Sequence, residues 1–155
     1  MAQTATINPR IIDGLYCEAL VLSDEVRATF AVSGRFDQGV VEEDLARVAL
    51  SCEALRTTTR MMHAIAWLLN RRAYFSGELS EFQLRRHGRL SAVPSRSNAD
   101  QAALLEPRIR ELIAATERFY ERLLRLDTGW REAEPMPPPG AIARLRARMG
   151  QGAAR

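Results

Sequence analysis

The chain has 155 residues, 46% hydrophobic and 26% charged, enough for one domain with one modest core and too few for a second. Its formal net charge of +3 is unevenly spread: all 22 basic residues are arginine, and four of them (Arg144, Arg146, Arg148, Arg155) sit in residues 141–155, which hold no acid. The other 18 arginines face 19 acids, so the body of the chain is near neutral, which argues against a broad phosphate-binding surface on it.

No apolar run reaches the roughly 18 residues of a membrane span, and MAQTATINPR lacks the apolar block of a secretory leader, so a cytoplasmic location is expected. The two cysteines, Cys17 and Cys52, fall inside helical patterns and are expected to be buried thiols.

In chain order, the first predicted helix spans residues 7–33, with Asn8 and Pro9 as start signals. Ile12, Leu15, Tyr16, Ala19, Leu22, Val26 and Phe30 give it one apolar face. The segment 34–39, GRFDQG, reads as a loop short enough to return the chain antiparallel.

The second helix is the longest, from Val41 to a stop at Gly77. It carries two apolar stripes. One is a heptad seam in steps of four and three: Val41, Leu45, Val48, Cys52, Leu55, Thr59, Met62, Ala66, Leu69 and Ala73. The other is Leu50, Ala54, Met61, Ile65, Leu68 and Phe75. At about 100° per residue the stripes lie roughly 130° apart, about twice the separation a plain three-helix bundle asks of its helices. One stripe is therefore expected to serve the bundle and the other a second subunit.

A third face of this helix, Glu53, Arg56, Arg60, His63, Trp67, Arg71 and Tyr74, is charged and aromatic. Tryptophan with tyrosine on a charged face is the composition of an interface anchor, so Trp67→Ala is expected to leave the fold intact and weaken a partner contact. Thr57, Thr58 and Thr59 are poor helix formers in a helix interior. Two readings stay open: small residues that let helices approach, with hydroxyls bonded back to carbonyls, or flanking Arg56 and Arg60 paired with a partner's carboxylates.

SEFQLRRHG follows, where Ser80 and Gln83 form a capping box and Gly88 a stop, predicting a short helix of about two turns. Residues 89–100 read as a loop. The third long helix starts between Ser97 and Pro107 and is expected to end at Gly129. Its apolar face is Ile109, Leu112, Ile113, Thr116, Phe119, Tyr120, Leu123 and Leu124, and its charged outer side reads as solvated. EAEPMPPPG is an extended linker, and AIARLRARM a short basic amphipathic stretch in a flexible tail. The expectation is all-α: an antiparallel three-helix bundle over 1–129 with one short extra helix, then a linker and basic tail over 130–155.

Neither His63 nor His87 stands in an HExxH-like spacing, and neither cysteine has a CxxC partner. No catalytic residues, metal site or cofactor are expected, and an enzyme sharing a cleft between two copies is a minor option.

Ser51-Cys-Glu-Ala-Leu-Arg-Thr-Thr-Thr-Arg-Met-Met62, with Ala66-Trp-Leu-Leu69, Arg71-Arg-Ala73 and Gly77-Glu78, resembles the signature of the bacterial RcdA family, regulators of CtrA degradation. The similarity runs from about Leu15 to Asp127. The resemblance implies a homodimeric, non-enzymatic adaptor that brings cell-cycle substrates to the ClpX/ClpP protease with the response regulator CpdR, in the cytoplasm and at the cell pole. It makes Arg56, Arg60, Trp67 and Arg72 candidates for a family-specific surface, and His63, Arg71 and Tyr74 share that stretch. The arginine-rich tail departs from the family in character. The rival class is a small dimeric nucleic-acid-binding regulator using that tail, marked by DNA binding that falls steeply with salt and is lost without residues 141–155.

Overall fold

Asn8 and Pro9 open the first helix as their chemistry requires. Asn8 Oδ1 accepts the amide of Ile11 at 3.0 Å, and proline takes the first helical position, where no N–H is needed. The computed structural model describes residues 8–33, 41–91 and 97–132. Helix α1 is Pro9–Ser33, α2 Val41–Phe75, α3 Glu81–His87, α4 Ala99–Ala103 and α5 Pro107–Glu132. The fold is all-α, with no strand among the described residues. The expected 34–39 loop, part of the 89–100 loop, and the linker and tail beyond 132 lie outside the described residues.

Local signals account for the helix ends. Gly77 takes φ +79° past the end of α2, with its amide on Tyr74 O at 3.0 Å and the amide of Glu78 on Ala73 O at 2.9 Å. That is a Schellman motif, and only glycine enters it without strain. The Ser80–Gln83 capping box opens α3 as expected. Asn98 caps a separate one-turn helix, α4, so two short helices lie between the long ones among the described residues. α5 does not stop at Gly129: the helix runs through it to Glu132, because Trp130 packs against the core and Arg131 pairs with Asp127.

Gly88 closes α3 so tightly that a Cβ there would lie 2.5 Å from Leu84 O and 2.7 Å from Leu84 Cδ1. Gly88→Ala is therefore expected to cost about 1–3 kcal/mol in urea unfolding. An unchanged midpoint would contradict this packing.

Helix directions follow from which residues meet. Asp13 and Tyr16 at the start of α1 meet Arg72 at the end of α2, while Phe30 joins Ala49 and Leu50 near its start. α1 and α2 are antiparallel. Arg60 meets Thr116, Arg71 meets Asp127 and Tyr74 meets Trp130, all with rising numbers on both helices. α5 therefore runs parallel to α2, a correction to the expected all-antiparallel order. The segment between them, with α3 and α4, is long enough to carry the chain back to the starting end.

Two apolar clusters hold the helices. The larger joins Ile12, Leu15 and Ala19 to Met61, Ala64, Leu68, Phe119 and Leu123. The smaller joins Ala49 to Leu105, Ile109 and Ile113. Between them in sequence, on α2 and α5, lies a buried polar layer of Glu53, Thr57, Arg60 and Thr116, each 1% exposed or less.

Candidate docking surface

The charged and aromatic face of α2 turns inward. Glu53, Arg60, Trp67 and Arg71 are each 2% exposed or less, so the predicted surface is largely interior. The reason is visible on α5, where Thr116 and Asp127 stand in the apolar register and need polar partners.

Asp127 is the hub of one network. Its Oδ1 accepts from Trp67 Nε1 at 2.9 Å and from Arg71 at 2.8 Å, while Arg131 approaches Oδ2 at 3.0 Å. The amide of Leu90 donates to Oδ2 at 3.4 Å, and Tyr120 donates to Ser91 O at 2.9 Å, so the chain after α3 is fastened to α5. The Arg71 guanidinium lies 3.9 Å from the Trp130 ring centroid and 4.9 Å from that of Trp67. The interface anchor expected in Trp67 is thus a core residue.

The second network forms the polar layer. Arg60 donates to Thr116 Oγ1 at 2.8 Å and to Glu117 at 3.2 Å. Burial lowers the pKa of the Arg60 guanidinium, opposed by Glu117 and Glu53. Burial also raises the Tyr120 phenol, against the nearby Arg60 charge. Glu53 accepts from Arg56 and from the amide of Asn98, Arg56 reaches Gln101, and Glu117 accepts the amide of Ser97. Of the two readings of Arg56-Thr-Thr-Thr-Arg60, the carboxylates that meet the arginines are the chain's own. Thr57 is fully buried, which fits small residues at a close helix contact, but its Oγ1 has no hydrogen-bond partner among the described residues, so the expected bond back to a carbonyl is not made there.

The other predicted residues are more peripheral. His63 is exposed. Arg72 pairs with Asp13 at 2.9 Å and lies 4.6 Å from the Tyr16 ring. Tyr74 is half-buried, edge-on to Phe75 and Trp130. Trp67 and Arg71 share the acceptor Asp127, Arg56 and Arg60 both lie in the field of Glu53, and His63 is exposed outside both networks. The sequence reading missed Asp127, whose signal was a carboxylate four residues after Leu123 on the apolar stripe of α5. Cys17 is exposed and Cys52 half-buried, so only Cys52 approaches the expected burial. No group of three or more His, Cys, Asp or Glu suited to a metal occurs among the described residues.

With that face inside, the heptad seam faces out. Leu45 is 61% exposed, Val48 57%, Leu55 70%, Met62 64% and Leu69 44%. The second stripe, with Met61 and Leu68, supplies the bundle core. From Val48 to Asn70 every charged residue of α2 is buried except the half-buried Arg56, and the shoulders of the seam are Ser51, Thr58 and His63. An exposed helix face with this much apolar surface and so little charge has the composition of an interface core.

The family model described as "Protein of unknown function (DUF1465)" matches residues 3–152. No curated protein and no solved structure matches the chain.

Proposed function

We propose that this chain, which belongs to the DUF1465 family, is a non-enzymatic, homodimeric helical adaptor in regulated proteolysis. The observation that carries the docking role is the uncovered heptad seam on α2. Its four-three spacing suits knobs-into-holes packing against another helix, and its low charge lets two copies of the same face meet without repulsion. The Arg60 and Arg71 side chains turn into the domain, where they meet Thr116, Glu117 and Asp127 of α5, which leaves apolar contact as the main source of binding energy on this face.

The proteolytic context rests on the resemblance of residues 51–78 to the RcdA signature. On that reading the dimer carries cell-cycle regulatory substrates to ClpX/ClpP together with a CpdR-type receiver protein, in the cytoplasm and at the cell pole. No described helix is long and apolar enough to cross a membrane. The test is a crosslinking pulldown from native lysate with the tagged full-length chain. Recovery of ClpX or a CpdR-type receiver protein is the expected result. Recovery of neither, together with salt-sensitive binding of labelled DNA, would move the protein to the nucleic-acid class.

A further inference from the structure

α1 lies along α2 for most of its length but meets α5 at few points, which leaves one side of the bundle open. The opening is a groove of about 710 Å³. Its floor is Val21 and Leu22 of α1 with Ala115 and Phe119 of α5, and Val21 is 69% exposed. Its walls are of opposite sign: Glu18 and Glu25 on α1, Arg118, Arg122 and Arg125 on α5. Glu18 and Arg122 pair across the groove. Arg118 and Arg125 make no ion pair with any described residue, so the α5 wall offers two open cations along an apolar floor.

We infer that this groove docks a short amphipathic helix of a partner protein, apolar edge on Val21 and Leu22 and acidic edge on Arg118 and Arg125. A trough between two helices is filled by a third helix set into the gap, a recurrent mode of peptide recognition. The sign of the occupant follows from the walls, since the paired Glu18 and Arg122 cancel and one glutamate remains against two arginines. The chain's own segment 141–149 carries only positive charge and suits the α5 wall poorly. The site is distinct from the α2 seam and does not depend on dimerisation.

The probe is a stapled helical peptide of about four turns with leucines on one face and glutamates along one flank, beside a twin with arginines in place of the glutamates. Fluorescence anisotropy with the full-length chain should show the glutamate peptide binding at least about tenfold tighter than its twin. Arg118→Glu with Arg125→Glu should reverse that preference, and Val21→Glu should remove binding of both while helicity by circular dichroism stays unchanged. The Leu55→Glu, Met62→Glu variant should bind the glutamate peptide as well as the natural chain does, which separates this site from the seam. Equal affinity for the two peptides, or no binding of either, would overturn the inference. So would displacement of the glutamate peptide by a peptide of residues 141–149, or conversion of a wild-type dimer to monomer by Val21→Glu, because each assigns the groove to another occupant.

Discussion

Asp127→Ala should unfold this protein more readily than any surface change, lowering stability by about 3–5 kcal/mol in urea denaturation. The loss is not that of one ion pair. Removing the carboxylate takes from the Arg71 guanidinium, 2% exposed, the charged acceptor it meets at 2.8 Å, and takes the acceptor from Trp67 Nε1 and the Leu90 amide. A buried cation that loses a carboxylate costs more than the pair contributes, because the charge cannot return to water in the folded state. Asp127→Asn keeps an acceptor and should lose less. Replacing both partners, as in Asp127→Leu with Arg71→Met, should recover part of the loss. A cost under about 1 kcal/mol for Asp127→Ala would mean that the network is open to solvent.

Trp67→Ala should be comparably severe, about 3–5 kcal/mol, with helicity lost at temperatures where the natural chain is folded. The indole is 2% exposed, sits in the larger cluster with Leu68, Phe119 and Leu123, and donates to Asp127. Trp67→Phe keeps most of the volume and removes the donor, so it should cost nearer 1–2 kcal/mol. The two alanine variants share a hydrogen bond, so their effects should fall short of additive in a double-mutant cycle. A Trp67→Ala protein with natural stability and only a weakened partner contact would restore the surface role that the sequence suggested.

The contrast between the two faces of α2 shows how far the residues alone could be read. Helix existence was legible: Asn8-Pro9, the Ser80–Gln83 box and Gly77 each act as their chemistry dictates. The two-stripe pattern was legible too, because a period near 3.6 places residues on faces without reference to the rest of the chain. Which face points inward was not, since that depends on what the neighbouring helix presents. A row of arginines, tryptophan and glutamate reads as surface until Asp127, Thr116 and Glu117 are brought opposite by a parallel α5. The parallel course of α5 was hidden in the connection, where Asn98 caps α4 and Glu53 and Glu117 hold the amides before it. Asp127 and Thr116 were the available clue, polar residues in an apolar register that call for buried partners.

The register between α2 and α5 also follows from the polar layer. Sliding α5 by one turn would take Thr116 and Glu117 away from Arg60, and Asp127 away from Arg71, so two buried guanidinium groups would lose their α5 acceptors. A shift of two purely apolar faces would cost less, so the ionic residues act here as register pins. This frees the outer seam to be apolar without ambiguity in the monomer fold.

Whether the α2 seam joins two copies is decided by sedimentation equilibrium of the full-length chain at micromolar concentration. A species of about twice the 17.4 kDa chain mass is expected, with conversion to monomer by Leu55→Glu with Met62→Glu. Both positions are at least 64% exposed, so circular dichroism and the urea midpoint should stay nearly unchanged in that variant. A natural chain that sediments as a monomer, or a dimer indifferent to both substitutions, would contradict the assignment of the α2 seam to a second copy.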